Sequence, residues 1–546
     1  MPEYLSPGVY VEEISGGIRP IEGVGTSTGA FVGIAEKGPI NSPQLITNFT
    51  QFRDTFGEFL PDAFLAYGVS HFFTEGGTRC YVVRAFKPTD GDPKKDTARY
   101  VYSSMDSPPS TMTVYAISPG KWGDNIYVKV GPVDFDPDAS PNASPPVQSK
   151  KFKLQVYFKA PGAIEPELVE TFDPLTLSEF IGDTTSPDPN FVERSINGKS
   201  KYITVNHTNI NPMAFDASDF SSNQNHLSGG GKGGDVTPND LIGDESKATA
   251  SATGLHAFDT VDDINIIAIP DLVNPKVDTS SNSSSGRDAV IEGFTYCENR
   301  KDCFFVADSP KDLSPQDVLK YKRGIDPFSG NTFRSTYGAL YYPWIYITDP
   351  LTGDRKLFPP SGAVVGTYSA TDVKRGVHKA PAGTEDGFLN SAVEIERAIT
   401  KGEQDTLNPA GINVIRKFPE SGIVIWGART VASDPEWKYV NVRRLFLFLE
   451  ESIDEATQWV VFEPNDKVLW KRIVRNVSAF LNIQWLEGKL VGDKAENAYF
   501  VKCDEETNPQ ESIDLGRVIT VIGVAPSKPA EFVIFRIMQT RPGATS

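Results

Sequence analysis

Apolar and polar residues in the first part of the chain follow patterns that predict alternating strands and helices. Residues 28–38 contain the apolar run GAFVGIA before a Gly-Pro turn, which indicates a buried strand. Residues 42–57 predict a strand followed by a helix, and 64–77 predict an amphipathic helix that ends at two glycines. Residues 80–86 predict another strand. Strands that alternate with helices are typical of an α/β unit.

After this unit the pattern changes to short segments in which apolar and polar residues alternate. These segments are 111–117, 125–130, 151–158 and 201–206, and they predict half-buried strands separated by loops rich in Pro, Asp and Ser. We therefore expect an inserted all-β domain. The glycine-rich segment 227–238 is expected to be a flexible linker at its end.

Alternation of strands and helices returns in the second half of the chain. Residues 264–272 and 303–310 predict buried strands, and 287–301 predict the helix between them, which indicates a right-handed parallel crossover. The stretch 350–385 is expected to consist mainly of loops. The predicted fold class is therefore α/β (α+β) with several domains.

Two long helices and two strands are predicted near the end of the chain. Val440–Gln458 and Asp466–Trp485 place apolar residues at intervals of three and four, which gives each helix one buried face. Residues 517–526 and 530–540 predict the strands that follow.

Composition and charge argue against several kinds of protein. The chain of 546 residues has a net charge of −18, whereas a nucleic-acid-binding protein needs a basic surface. No apolar run approaches the length of a membrane helix, so direct membrane insertion is not expected. The histidines do not pair at metal-ligand spacing, and we expect neither a metal nor a cofactor. The cysteines are expected to be free, mostly buried thiols; they are Cys80, Cys297, Cys303 and Cys503.

Two short motifs resemble those of enzymes but lack the required context. Residues 25–29, GTSTG, match a nucleophile motif around Ser27, but a predicted strand follows where a helix is needed. The glycines around Lys232 lack the spacing and the Ser/Thr of a phosphate loop, which favours a linker. His256 and His378 lie in no protease-like motif. We therefore expect no enzymatic activity and no catalytic residues.

An ordered set of segments resembles the contractile tail sheath family of phages, bacteriocins and related injection machines. PGVYVEEI (7–14) and TSTGAFVGIAEKGP (26–39) carry the resemblance near the N-terminus. The C-terminal part matches best, through GINVIRKFPESGIVIWGARTV (411–431), WKYVNVRRLFLFLEESI (437–453) and WVVFEPND (459–466). No single motif is diagnostic of a catalytic activity, but the ordered set of segments is specific for this family.

The resemblance implies a structural subunit that polymerises helically around an inner tube and contracts to drive the tube through a target envelope. The implied partners are further copies of the chain, the inner tube protein, and baseplate and tail terminator proteins. It also implies a subtilisin-like middle region and assembly in the bacterial cytoplasm, within a phage tail or contractile injection particle. The alternatives are a sheath paralogue at the tail end or near the baseplate, or a hydrolase with an inserted β domain.

The resemblance and the pattern changes together divide the chain into five expected parts. These are an N-terminal arm (1–20), a discontinuous α/β core (21–99 and 255–425), an inserted β-rich outer domain (100–254), a tube-facing α/β domain (426–526) and a C-terminal arm strand (527–546).

Both ends of the chain carry apolar extended segments that are candidates for adding a strand to a neighbouring subunit. Periodicity alone slightly favours a last strand that completes a sheet of its own subunit. The family resemblance implies interlinked arms and reverses that preference. The predicted arm residues are Val9, Tyr10, Val11, Phe532, Val533, Ile534, Phe535 and Ile537.

A basic stripe is predicted on the helix Asp466–Trp485. Lys467, Lys471 and Arg475 are spaced four residues apart and share one face, with Arg472 beside them. On an acidic protein this stripe is a candidate docking face for an acidic tube. An ordinary solvated face is an equally good interpretation.

Overall fold

The computed structural model describes residues 21–532 and residue 534, except for 104–110, 134–150, 178, 180–185, 209–223, 246–250 and 281–282. The strands in these residues are β1 (Gly29–Gly33), β2 (Gln44–Ile46), β3 (Cys80–Arg84), β4 (Arg99–Ser103), β5 (Thr111–Ala116), β6 (Ile126–Pro132), β7 (Phe152–Phe158), β8 (Glu167–Leu175), β9 (Ile203–Thr208), β10 (Asn225–His226), β11 (Ile266–Ala268), β12 (Phe304–Asp308), β13 (Gly338–Tyr342), β14 (Ile345–Thr348), β15 (Arg355–Phe358), β16 (Glu394–Ile395), β17 (Ile412–Phe418), β18 (Gly422–Ile425), β19 (Tyr499–Lys502) and β20 (Val521–Val524).

The α-helices follow the same chain order. They are α1 (Phe49–Phe56), α2 (Leu65–Thr74), α3 (Val192–Ile196), α4 (Pro238–Ile242), α5 (Ser284–Arg300), α6 (Pro315–Arg323), α7 (Ser361–Arg375), α8 (Gly383–Asp386), α9 (Lys401–Leu407), α10 (Val440–Thr457), α11 (Lys467–Leu486), α12 (Ala495–Ala498) and α13 (Gln510–Asp514).

An eight-stranded sheet, called the central sheet below, forms the middle of the fold. Its strand order is β18-β17-β13-β12-β11-β1-β3-β2, and only the edge strands β2 and β18 pair antiparallel. Parallel strands are covered on both faces, which explains the continuous apolar runs in the sequence. The strands predicted at 28–38, 80–86, 264–272 and 303–310 are confirmed as β1, β3, β11 and β12.

Each face of the central sheet packs against its own helices, because successive residues of a strand point to opposite faces. On β1, Phe31 belongs to a core shared with α1, α2 and α7, whereas Ala30 and Val32 belong to a core shared with α4, α5 and α6. The predicted helix between β11 and β12 is confirmed as α5, and those two strands are parallel. Helices therefore cover both faces of a mostly parallel sheet.

Residues 350–385 contain a long helix, so the expectation of mainly loops was wrong. Helix α7 lies there, and most of its residues are buried. Its small residues allow a close approach to α2: a Cβ atom on Gly362 would lie 2.5 Å from the Cα atom of Gly68. A helix whose Gly, Ala, Ser and Thr residues are buried on several sides has no single apolar stripe. The periodicity of apolar residues therefore does not reveal such a helix.

The segment between β3 and α4 forms two antiparallel sheets around a separate core. One sheet has the order β4-β5-β9 and the other β10-β6-β7-β8. The four strands predicted from alternation are confirmed as β5, β6, β7 and β9. Helix α3 also packs into this core through Val192 and Ile196, so the segment is rich in strands but not all-β.

The glycine-rich segment 227–238 connects these two sheets back to the central sheet. It was expected to be flexible. Backbone hydrogen bonds hold it against residues 87–96, which lead from β3 to β4. The N–H of Gly231 donates to the carbonyl of Asp96 at 2.9 Å, and the N–H of Gly234 donates to the carbonyl of Lys87 at 2.8 Å. The segment is a loop over most of its length, as expected, and these bonds show that it runs beside residues 87–96; its flexibility stays a prediction.

The two predicted C-terminal helices are confirmed as α10 and α11, with bounds close to those expected. Asp466 caps α11 by accepting hydrogen bonds from two backbone N–H groups of its first turn. Helix α10 lies between two cores: Val440 and Leu447 contact the central one, whereas Leu445 and Phe448 contact a core built with α11. Helix α10 therefore joins the C-terminal helices to the central sheet.

A buried ion pair strengthens this junction. The Arg444 guanidinium lies 2.6 Å from the Asp372 carboxylate on α7, and these side chains are 3% and 1% exposed. Arg444 also donates to the carbonyl of Thr26 at 2.9 Å and lies over the ring of Tyr368. One cation thus connects α10, α7 and the segment before β1.

The four cysteines are free and buried, as expected. The Sγ atoms of Cys297 and Cys303 lie 3.4 Å apart. In the part of the chain that the structure describes, no helix combines the length and apolar character needed to cross a membrane.

Candidate functional site

A two-stranded antiparallel sheet, called the C-terminal sheet below, is formed by β19 and β20. In the described residues no third strand joins it. An isolated two-stranded sheet is only marginally stable, and both of its edges are open to additional strands. The paired residues are Tyr499 with Val524, Phe500 with Gly523, Val501 with Ile522, and Lys502 with Val521.

One face of the C-terminal sheet is packed and the other is exposed. Val501 and Ile522 contact the core formed with α10 and α11. On the opposite face, the ring of Phe500 lies directly over Gly523, where an added Cβ atom would come within 2.2 Å of it. Phe500 is nevertheless 56% exposed. Val521, on the same face, is 43% exposed, so apolar side chains lie on the surface beside the open strand edges.

The hydrogen-bond pattern shows which backbone groups face outward at the two edges. The N–H of Ala525 donates to the carbonyl of Ala498 at 2.8 Å, and antiparallel pairs alternate between bonded and non-bonded positions. The backbone N–H and C=O of Val501 therefore point away from β20. Those of Ile522 point away from β19. Each edge thus presents the donors and acceptors that an added strand requires.

The chain leaves the body of the protein directly after Glu531. The side chain of Glu531 is 15% exposed and contacts Arg429, whereas Phe532 and Ile534 are 73% and 79% exposed. Neither Phe532 nor Ile534 belongs to a strand of the described chain, so these two positions give no support to a last strand that completes its own subunit's sheet. The other predicted arm residues lie outside the described residues; they are Val9, Tyr10, Val11, Val533, Phe535 and Ile537.

Two of the four predicted tube-docking residues have partners within the chain. Lys467 forms an exposed ion pair with Glu505 at 2.6 Å. This interaction raises the pKa of Lys467 and lowers that of Glu505. The guanidinium of Arg472 lies 4.3 Å from the centre of the Trp459 ring and 3.8 Å from Glu463.

The other two residues of the stripe carry free charges. Lys471 and Arg475 are exposed on α11, and no carboxylate of the described chain lies at ion-pair distance from either. They line a shallow groove beside β19, together with Val474 and Val501. Lys467 and Arg472 therefore have carboxylates within 4 Å, whereas Lys471 and Arg475 do not, although Asp504 lines the same groove.

The enzyme-like motifs do not form a catalytic site. Ser27 precedes β1, and its backbone carbonyl accepts a hydrogen bond from Ser369 at 2.9 Å. Lys232 pairs with Asp235, and His256 lies 3.4 Å from Asp259. Over the described ranges, no three His, Cys, Asp or Glu side chains are grouped so that they could hold a metal ion.

Sequence reasoning missed the contact between Arg429 and Glu531. The two residues are separated by 102 positions, and neither belongs to a motif. A possible signal was the single arginine in the otherwise apolar segment IVIWGARTV (423–431), since a buried arginine requires a partner.

Comparison with known proteins identifies the family. The family model for the phage tail sheath protein central domain matches residues 234–431, and that for the phage tail sheath C-terminal domain matches residues 432–540. The chain belongs to the phage tail sheath family. The family resemblance that the sequence motifs indicated is thereby confirmed.

Curated tail sheath proteins match part of this tail sheath family member. The match to the tail sheath protein of Vibrio phage KVP40 is 27% identical over 261 residues and covers 45% of this chain. The match to the tail sheath protein of Enterobacteria phage T4 is 23% identical over 257 residues and also covers 45% of this chain. In both cases the matched part spans 38% of the relative's length.

Solved sheath structures share the fold over nearly the whole chain. The sheath complex of an extracellular contractile injection system (PVC) in its contracted state is 20% identical, with a TM-score of 0.56, and 99% of each chain is covered. The sheath tail protein from Listeria innocua is 13% identical, with a TM-score of 0.58, and 93% of this chain and 96% of that chain are covered. These likenesses establish a mixed α/β sheath fold with several sheets.

Proposed function

We propose that this tail sheath family member is a structural subunit that polymerises helically around an inner tube and contracts to drive the tube through a target envelope. The main support is the C-terminal sheet, which has two open edges in the described chain, together with the exposed Phe532 and Ile534 at the start of the C-terminal arm. The curated relatives are named tail sheath proteins, and similar solved structures include sheaths in a contracted state. A catalytic role is not proposed.

Exchange of strands between subunits would connect the copies. The N-terminal arm, with Val9, Tyr10 and Val11, and the C-terminal arm, with Phe532 to Ile537, would each add a strand to the C-terminal sheet of a neighbour. Five or six main-chain hydrogen bonds at about 1 kcal/mol each would hold every such joint. Head-to-tail contacts of this kind generate a helical polymer, and the bodies of the subunits can slide while the joints persist.

The proposed domain division follows the predicted one with a single change. Val236 and Ile242 pack into the central core, so the end of the inserted β-rich domain is placed at the connection 227–238 rather than at residue 254. The insertion would face outward, because exposed positions tolerate variable segments best. The subtilisin-like character of the middle region remains part of this proposal.

The proposed partners are further copies of the chain, an inner tube protein, and baseplate and tail terminator proteins. Assembly would take place in the bacterial cytoplasm, and the product would be part of a phage tail or a contractile injection particle. A position beside the baseplate is the alternative within the same family. One similar structure is the baseplate of the anti-feeding prophage, with a TM-score of 0.53.

Replacing Val501 by proline should prevent strand addition to β19 and thus block polymerisation. Proline removes the outward N–H of Val501 but none of the bonds between β19 and β20, and proline is tolerated at strand edges. Val501→Ala, which keeps the N–H, is the matched control. Negative-stain microscopy should show tubular polysheaths for the control and only unassembled protein for Val501→Pro. Normal polysheaths from a folded Val501→Pro protein would contradict the proposed joint.

Reversing the charges of Lys471 and Arg475 should weaken binding to the tube. Two lost contacts of somewhat less than 1 kcal/mol each lower the affinity about tenfold. Reversal of Lys467 and Arg472 is the matched control, because these cations already have partners in the chain. Co-sedimentation with tubes at low salt measures the difference. Normal assembly of the variant sheaths on tubes would contradict a docking role. A variant that also fails to form polysheaths in the absence of tubes would contradict it too, because the defect would then lie in contacts between subunits.

A further inference from the structure

The root of the C-terminal arm is fixed by contacts to one carboxylate. Arg429 donates from Nε to one oxygen of Glu531 at 2.7 Å and from Nη2 to the other at 2.5 Å, which is the bidentate geometry of strong pairs. The hydroxyl of Tyr439 donates to the same carboxylate at 3.1 Å, and Lys438 Nζ lies 3.4 Å away. We call these four residues the arm clamp.

The arm clamp keeps the Glu531 carboxylate charged. Burial acts to raise the pKa of Glu531, but the hydrogen bonds and charge of Arg429, with Lys438 and Tyr439, outweigh burial and lower it below its usual value. The contact differs from an ordinary surface ion pair, because Arg429 is only 8% exposed. Removing Glu531 would leave the buried guanidinium of Arg429 without its carboxylate partner.

Arg429 is itself attached to the central sheet. Its backbone N–H donates to the side-chain oxygen of Asn413, and its carbonyl accepts from the side-chain nitrogen of Asn413, both at 2.7 Å. Asn413 lies fully buried on β17. The Nη1 group of Arg429 also donates to the carbonyl of Asn408 at 3.0 Å. The side chain of Arg429 thus holds Glu531 while its backbone is bonded to Asn413, so these two residues connect the carboxylate to β17.

The residues before Glu531 cross from the C-terminal sheet to the arm clamp. The backbone N–H of Ala525, directly after β20, donates to the carbonyl of Ala498, directly before β19. Ser527 then donates to the carbonyl of Lys489 at 3.2 Å and accepts from the side chain of Asn441 at 3.2 Å. The exposed arm thus begins beside the central sheet, although β20 precedes it in the chain.

We propose that the arm clamp anchors the C-terminal arm to the central sheet and fixes the direction in which the arm leaves the subunit. This inference rests on the proposed exchange of strands between subunits. When a neighbour pulls on the arm during contraction, the force passes from Glu531 through Arg429 to β17. The C-terminal sheet of the same subunit is spared that force and keeps the strands that it has received.

The test compares sheaths built from full-length variants before and after contraction. Glu531→Gln keeps the shape of the side chain but removes its charge, which weakens the arm clamp about tenfold. Tyr439→Phe removes a single hydroxyl donor. Lys528→Gln is the control, since Lys528 is exposed on the same arm root and has no ion-pair partner in the described chain. The lengths of sheaths and the fraction of broken ones are counted by electron microscopy.

We expect Glu531→Gln sheaths to break several-fold more often on contraction, Tyr439→Phe sheaths to show an intermediate increase, and Lys528→Gln sheaths to match the wild type. Val290→Ala creates a cavity at a buried position of α5 that has no contact with Glu531, and it supplies a readout for stability alone. If breakage follows the unfolding temperature of the unassembled proteins, Val290→Ala included, the arm clamp only stabilises the fold and the inference is overturned.

Deletion of residues 532–546 distinguishes failure of this inference from failure of the proposed function. If the deletion blocks assembly while Glu531→Gln sheaths contract without breaking, strand exchange stands and the anchoring role is refuted. If the protein that lacks residues 532–546 still forms intact sheaths, strand exchange by the C-terminal arm is refuted, and the anchoring role is refuted with it. Assembly that is lost on deletion, combined with breakage on Glu531→Gln, supports both.

Discussion

Deletion of residues 532–546 should abolish polymerisation and leave a folded subunit. Phe532 and Ile534 are mostly exposed and pair with no strand of the described chain, so the fold of the subunit does not depend on them. The free energy of unfolding of the subunit should therefore change by no more than about 0.5 kcal/mol. Each joint between subunits, in contrast, would lose about 5 kcal/mol of main-chain hydrogen bonds, which is a factor of several thousand in affinity.

Sedimentation velocity and negative-stain microscopy measure the two parts of this prediction, the folded subunit and the missing polymer. Replacing Phe532 and Ile534 by serine is the informative companion, because it keeps the main-chain donors and removes only apolar contacts. This variant should polymerise at a higher protein concentration than the wild type. Intact contractile cylinders from a protein trimmed of its first fifteen and last fifteen residues would refute strand exchange altogether.

Strands β1, β3, β11 and β12 of the central sheet were predictable, because parallel strands covered on both faces leave mainly apolar runs such as INIIAIPDL (264–272), whereas β13, β17 and β18 were not predicted. Helix α7 was not predictable in the same way. Its packing depends on close approach to α2 at Gly68 and Gly362, and small residues buried on several sides leave no amphipathic signal. Similarly, the glycines of 227–238 suggested a linker, but they did not show that Gly231 and Gly234 hydrogen-bond to Asp96 and Lys87.

The candidate site shows where sequence spacing stops being informative. Spacing on α11 placed Lys467, Lys471 and Arg475 on one exposed face, which the structure confirms. Spacing did not show that Glu505, nearly forty positions later, forms an ion pair with Lys467 and not with Lys471 or Arg475. Glu531 was missed for the same reason, since its partners are distant in sequence and meet it only through the tertiary fold.

Replacing Arg444 by methionine should destabilise the subunit by about 3–5 kcal/mol, the typical cost of leaving a buried charge without its partner. The carboxylate of Asp372 is 1% exposed and accepts two hydrogen bonds from Arg444, which methionine cannot donate. The stack on Tyr368 and the bond to Thr26 would be lost as well. Chemical denaturation at neutral pH measures the loss as a lower transition midpoint.

The pH dependence of this loss identifies its cause. Burial already raises the pKa of Asp372 above its usual value, although Arg444 opposes the shift, so removal of Arg444 should raise the pKa further. A carboxyl group with a raised pKa stabilises the folded state at low pH, and this contribution is lost as the pH rises through the folded value. The deficit of Arg444→Met relative to the wild type should therefore shrink as the pH falls.

Asp372→Asn combined with Arg444→Met provides the matched control. The double variant has no buried charge, so it should recover much of the lost stability at neutral pH and show no such pH dependence. Equal destabilisation of the single and double variants at every pH would instead mean that packing, not charge, makes the junction. The distinction matters for a sheath, because α10 connects the basic face of α11 to the central sheet that carries the arm clamp. Force between the proposed tube contact and the arm therefore has to cross the junction that Arg444 holds.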